Sequence, residues 1–126
     1  MPRLLLAHGS PLSTDEYVTA QTAKERWATF ARVAGGPVAT VCLGHTHQPM
    51  DEVHHGIRYL NPGSVGWPKD GDGRASYGIL SFGPPEGVVH FAIHRVAYER
   101  DVFVDRAVGA GLPAPLAEAM ATGRSI

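Results

Sequence analysis

Several things are scarce in this 126-residue chain, and each scarcity narrows what it can be. Cys42 is the single cysteine, so no internal disulfide can form, and a reducing compartment is expected. Flanked by Val41 and Leu43, its thiol reads as buried and inert. No long apolar run is present. The apolar stretch at 1–7 is too short for a signal peptide, and longer uncharged stretches are broken by glycine and proline. A cytoplasmic location without a membrane span is therefore expected. Charge bias is lacking too: 11 basic and 12 acidic side chains are interspersed, for a net charge of −1. That excludes a basic stripe for nucleic acid and an acidic tail for a charged partner. Neither Ser10 nor Ser64 sits in a Gly-x-Ser-x-Gly elbow, so both read as turn residues. With no repeat or linker, residues 1–126 read as one domain, long enough for a real core.

Glycine (15), proline (10) and histidine (7) are the special residues in supply. The first two imply many tight turns. The apolar run at 3–7 reads as a strand buried on both faces, ending in His8-Gly9-Ser10-Pro11. A strand that begins almost at the first residue yet carries a polar cluster at its end reads as an internal element of a longer fold. Ser13-Thr14-Asp15-Glu16 has capping-box spacing and predicts a helix start. That helix would carry Tyr17, Ala20, Lys24, Trp27, Ala31 and Ala34 on one face and stop at Gly35-Gly36-Pro37. A second apolar run follows at 38–43. A strand–helix–strand unit sets its strands parallel, so the loop bearing His8 and the loop Gly44-His45-Thr46-His47 fall at one sheet edge. Ligand sites of open α/β sheets gather at that edge.

Beyond it the pattern shifts to short strands. Residues 51–54 and 57–60 read as a hairpin about Gly56, with His54 and His55 solvated at its turn. A Gly/Pro-rich loop spans 61–72. Strands at 75–82 and 88–96 flank a turn at 83–87, and His90, Ala92 and His94 share a strand face. Asp101 reads as the N-cap of a short helix toward Ala110. A terminal helix over 115–122 has proline at its start and Gly123 at its stop.

His-x-His behind a glycine that frees the backbone can hold one ion with both imidazoles, or diverge to two. With His8 at the same edge, His8, His45 and His47 form a candidate metal set; ordinary loop histidines are the alternative. Asn61 and Ser64 read as braces of that loop more than as substrate contacts. Arg74 either holds a phosphate oxygen or closes a structural salt bridge.

Taken together, these residues resemble a known family. Leu43-Gly44-His45-Thr46-His47-Gln48-Pro49 is followed by Leu60-Asn61-Pro62-Gly63-Ser64-Val65-Gly66-Trp67-Pro68-Lys69-Asp70-Gly71. His8-Gly9-Ser10-Pro11 lies before them, and Arg74-Ala75-Ser76-Tyr77 and Gly111-Leu112-Pro113 after them. The order is similar to the calcineurin-like metallophosphoesterases, in particular a small bacterial branch with Gly-His-Thr-His and Asn-Pro-Gly-Ser motifs. The resemblance implies an α/β fold, the C-terminal half of a four-layer α/β/β/α sandwich, with a mixed sheet of about five strands. It implies hydrolysis of a phosphomono- or phosphodiester by two divalent ions (Mn, Fe, Ni or Zn) held ~3.5–4 Å apart. It implies that His8 and His45 bind one ion and His47 the other.

The family's Asp-x-His, Gly-Asp and Gly-Asn-His motifs have no counterpart in place. Glu52-Val53-His54 is the nearest to the first, and the sole Gly-Asp is Gly71-Asp72, in a downstream loop. The expectation is a chain equivalent to the second half of the domain, which binds at most one ion, weakly, and hydrolyses little. Three neutral imidazoles do not offset the repulsion of two cations; Asp51, Asp70 and Asp72 are candidate substitutes for the missing carboxylates. The alternative function is a non-catalytic remnant that binds a metal or a partner. A sheet face without its packing sheet implies such a partner, either a second copy in a homodimer or a separate N-terminal half. A phosphoester is the small-molecule partner expected if the site is active.

Overall fold

The computed structural model describes residues 3–84 and 87–126. Its first half builds a four-stranded sheet. Strand β1 (Arg3–Leu6) is joined through helix α1 (Lys24–Ala34) to β2 (Val38–Cys42), and the two strands pair parallel, as the strand–helix–strand pattern predicts. Strand β3 (Pro49–His54) turns back into β4 (Ile57–Pro62), which pairs antiparallel with β3 and parallel with β2. The spatial order is β1-β2-β4-β3. The hairpin turn is the pair His55-Gly56, with φ of 52° and 75°. Two successive left-handed residues suit the twist of a two-residue hairpin.

Strand alternation sets Leu5, Val41 and Tyr59 side by side on one face. The core gathers there: Val18, Trp27, Phe30, Val41, Leu43, Met50, Ile57 and Tyr59 are buried, with Leu5, Ala7 and Val38 packed against them. Trp27 of α1 is the centre of this cluster. It meets Phe30 edge-on at 5.8 Å, lies 4.7 Å from Tyr59, and stacks on His54 at 4.0 Å with the rings 8° from parallel. His54, expected in solvent, is thus half-buried on an indole face, while His55 is exposed.

Two expectations for this half fail for physical reasons. The helix begins at Lys24 rather than after Ser13, and its N-cap is Ala23. The capping box cannot form because its donors and acceptors are used elsewhere. The Ser10 hydroxyl accepts from the Leu12 and Ser13 N–H groups and donates to Glu16, which also takes Arg26. The Ser13 hydroxyl accepts the Asp15 N–H. In consequence Tyr17 is exposed and Val18, not Tyr17, enters the core. The second failure is β1, which is not buried on both faces. It is the edge strand of the sheet, and Leu4 and Leu6 are 37% and 71% exposed on the face opposite α1.

The mixed sheet holds four strands, with the next two in a sheet of their own. Strand β5 (Ala75–Gly83) pairs antiparallel with β6 (Gly87–Val96). Both edges of β4 are already taken, by β2 and β3, so β5 crosses over β4 instead of extending the sheet. The Ser76 hydroxyl donates to the Pro62 carbonyl at 2.6 Å, and the Ser76 N–H to Ser64 at 2.9 Å. Gly78 makes the crossing possible: a Cβ there would come within 2.5 Å of the Phe91 ring and 3.2 Å of Pro62. His90, Ala92 and His94 do share a face, with His94 stacked on Tyr77. Residues 85 and 86 of the turn expected at 83–87 lie outside the described residues.

Helices α2 (Arg100–Gly109) and α3 (Ala114–Thr122) follow. The N-cap of α2 is Glu99, and Asp101 sits in its first turn. Helix α3 starts with proline and ends at left-handed Gly123, as expected. Its C-terminal end docks on the loop after β4: Trp67 Nε1 donates to the Arg124 carbonyl at 2.9 Å, and the Gly71 N–H to Gly123 at 2.9 Å. Among the described residues no helix is long and apolar enough to cross a membrane.

Candidate metal centre

The parallel pairing of β1 and β2 carries past their ends. Ala7 donates to the Cys42 carbonyl at 2.9 Å and Gly44 to the His8 carbonyl at 2.8 Å. Two adjacent parallel strands therefore release their loops side by side. The result is His45 Nδ1 at 3.2 Å from His8 Nε2, with ring centroids 5.1 Å apart. Two nitrogens on one ion with Zn–N bonds of 2.0–2.1 Å sit roughly 3.3 Å apart at a tetrahedral angle. The His8–His45 separation matches that of two ligands of one ion, and also that of a direct N–H···N hydrogen bond between the rings.

His47 is aimed differently. Its Nδ1 pairs with the Trp67 carbonyl at 2.9 Å, which makes Nδ1 the protonated nitrogen and leaves Nε2 with its lone pair free. Burial holds the His47 imidazole below its ordinary pKa, and the nearby Lys69 charge pushes the same way against the Trp67 carbonyl. A neutral ring with one lone pair offered outward is the form that ligates a metal.

The backbone between these rings is strained. His45 and His47 both have positive φ, 63° and 59°. Residues with a Cβ enter that region rarely, and the cost is of order 1–3 kcal/mol each. The histidines themselves adopt these angles, and Gly44 does not, so the aiming role expected of Gly44 falls to His45 and His47. Asn61 holds the strained turn. Fully buried, it donates from Nδ2 to the Gly44 carbonyl at 2.9 Å and to Thr46 Oγ1 at 3.1 Å. Its Oδ1 accepts the Gly63 N–H at 2.9 Å. Thr46, between the two histidines, is also buried and accepts the Gln48 N–H.

Ser64 braces one step further out, accepting the Trp67 N–H at 3.0 Å. That turn positions the carbonyl used by His47. Lys69 completes the clasp: its N–H donates to the His47 carbonyl, and its ammonium lies 4.3 Å from the Trp67 ring centroid. Arg74 is exposed and gripped by Asp72, with Nη2 2.6 Å from Oδ2. Of its two sequence readings, the structure contains the salt bridge.

The candidate carboxylates are all engaged by arginine. Asp51 pairs with Arg58 through two bonds of 2.8 and 2.7 Å, Asp70 with Arg95, and Asp72 with Arg74. The hydrogen bonds from Arg58 hold the Asp51 carboxyl below its usual range, and those from Arg74 do the same for Asp72. Among the described residues no group of three His, Cys, Asp or Glu side chains is close enough to hold one ion together. His8 and His45 meet, and His47 stands apart from them.

Two members of this site escape a reading of the sequence. Trp67 acts through its backbone carbonyl, which any residue supplies. Tyr17 lies 4.4 Å from the His45 ring, ring centre to ring centre, and the capping-box spacing had assigned it to a helix face. No local sequence signal marks it.

Comparison with known proteins names the class. A profile of the calcineurin-like phosphoesterase superfamily domain matches residues 2–83, more than half of the chain, and the chain belongs to that family. A crystal structure of a metallophosphoesterase from Sphaerobacter thermophilus superposes with a TM-score of 0.77 at 29% identity, covering 98% of this chain and 56% of that one. A hypothetical protein from Pyrococcus horikoshii OT3 shares the fold, with a TM-score of 0.77 at 17% identity, covering 98% of this chain and 47% of its own. The chain thus spans about half the length of these two structures. A search of curated proteins finds no match. The family generally uses divalent metals.

Proposed function

We propose that this domain supplies the histidine side of a metal-dependent phosphoesterase site. In this reading His8 and His45 share one ion, and His47 offers Nε2 to a second. The single observation that carries it is the 3.2 Å approach of His8 Nε2 and His45 Nδ1 at the ends of adjacent parallel strands. A divalent ion there would supply positive charge to a phosphate oxygen and lower the pKa of a bound water. Asn61 and Ser64 hold the loops, and Arg74, tied to Asp72, remains outside the chemistry.

The 126 residues alone bind at most about one ion and turn over little phosphoester, since paired cations need anionic ligands between them. Asp51, Asp70 and Asp72 are poor substitutes, because freeing each would strand an arginine. A second copy of the chain covers the open edge of the sheet at β1, where Leu4 and Leu6 are exposed beyond the one charged residue of the strand, Arg3. A non-catalytic metal-binding role is the alternative; it follows from the arginine pairing that occupies Asp51, Asp70 and Asp72.

The test is metal content beside hydrolysis of bis(p-nitrophenyl) phosphate with added Mn²⁺ or Ni²⁺. The expected result is weak binding that is lost in His45→Ala, with hydrolysis near background. Robust turnover that His47→Ala abolishes would overturn the claim that the chain is incompetent alone.

A further inference from the structure

Tyr17 is an exposed aromatic ring fixed beside the candidate metal centre. It is 63% exposed, and its ring centre lies 4.4 Å from that of His45 with the planes 53° apart. Exposed tyrosines are common, but this one is held from both sides. On one side the chain folds back tightly at Gly9, where a Cβ would come within 2.5 Å of the Ser13 carbonyl and 2.6 Å of Thr14. Glu16 is then tied by Ser10 at 2.5 Å and by Arg26 at 2.7 Å. Burial alone would raise the Glu16 carboxyl, yet these bonds outweigh it and hold the group below its ordinary value. On the other side Val18 is 2% exposed in the core. The backbone of Tyr17 is therefore pinned between an ion pair and a buried anchor.

Next to this segment lies a cavity of about 280 Å³ lined by Thr19, Gln21, Thr46, Gln48 and Glu52 among others. Its polar lining mixes hydroxyls and amides with two carboxylates, Asp51 and Glu52, so it suits an uncharged polar group and not the phosphate itself.

Resting on the metal-site reading above, we infer that Tyr17 is a substrate-contacting residue that selects phosphoesters with a planar aromatic leaving group, such as an aryl or nucleoside alcohol. The phosphate sits toward His45, and the leaving-group ring packs on the solvent-facing side of Tyr17. Offset or edge-on aromatic pairs add stabilisation beyond the area they bury, enough for roughly fivefold in affinity. An alkyl leaving group receives no such contact.

The test is binding, read by NMR with Zn²⁺ present, comparing phenyl phosphate, adenosine 5′-monophosphate and methyl phosphate. Histidine shifts with Zn²⁺ alone report the metal reading separately. The expected result is about fivefold tighter binding of the two aromatic esters than of methyl phosphate. Ring-current shifts appear at Tyr17 and His45. Tyr17→Ala removes the preference, and Tyr17→Phe keeps it. Equal binding of all three by the unaltered chain, no binding of any of them, or a preference that survives Tyr17→Ala overturns the inference. In each case Zn²⁺-induced shifts at His8 and His45 leave the metal reading standing, and their absence removes it.

Discussion

The two faces of the four-stranded sheet are finished to different degrees. The face under α1 is sealed: Val41 and Tyr59 are fully buried, and Trp27 and Phe30 close over them. The opposite face is sealed only over its middle. Leu60 is fully buried there and Thr40 nearly so, while Leu4 and Leu6 at the β1 edge stand in solvent. The histidine loops leave the sheet at the end where these faces meet. One face can therefore anchor the site without help, and the other offers apolar surface for something to cover. Stability should reside in the first and association in the second.

The sharpest way to break that comparison is Trp27→Ala. Trp27 is 1% exposed and touches Phe30, His54 and Tyr59. Truncating a buried tryptophan costs about 3–5 kcal/mol. In a chain of this size that is a large part of the total stability. Urea denaturation should show the midpoint collapse. A loss below ~1 kcal/mol would mean that the α1 face is not the anchor of the fold.

The contrast also explains what a reader of the sequence can and cannot see. The parallel pairing of β1 and β2 was legible because an apolar run, a helical segment and another apolar run permit little else. The meeting of His8 with His45 followed from it, since parallel strands deliver their loops to one edge. The start of α1 was not legible. Ser13 and Glu16 have capping-box spacing, but the contest for Glu16 is decided by Arg26, ten residues on, and by Ser10. Local spacing does not report such long-range rivals. The exposure of Leu4 and Leu6 was hidden for a similar reason: an apolar run looks the same in a central strand and at an edge. The brace by Asn61 was visible as a role, but its partners, Gly44 and Thr46, emerge only when β4 lies beside β2.

Asn61→Ala is the next test, with a middle-sized effect that bears on the site more than on the core. The substitution leaves the Gly63 N–H without its acceptor, and takes one of two partners from the Gly44 carbonyl and the Thr46 hydroxyl, which keep the Thr46 and Gln48 N–H groups. An unsatisfied buried group costs about 1–3 kcal/mol. Because Asn61 also holds the turn at which His45 and His47 carry positive φ, its loss should relax both histidines. The expected outcome is a moderate fall in stability together with a loss of metal binding larger than that fall accounts for. Calorimetry with Zn²⁺ beside urea denaturation separates the two. Metal affinity that tracks stability alone would show that Asn61 serves the core and not the histidine loop.

The smallest effect on stability is expected at Leu6, the most exposed apolar residue of β1. At 71% exposure it contributes little to the folded monomer, and Leu6→Lys should change stability by no more than about 0.5 kcal/mol. Its effect on association should be much larger. A lysine on an edge strand is a common guard against edge-to-edge pairing, because a charge beside an apolar strand must be desolvated for a second strand to dock. Light scattering on the unaltered chain should report a dimer, and Leu6→Lys a monomer with an unchanged urea midpoint. A monomer in both would mean that the open edge of this sheet does not recruit a second copy. A dimer in both would move the contact to another apolar surface, with Tyr77 and Ile79 on β5 the next to substitute.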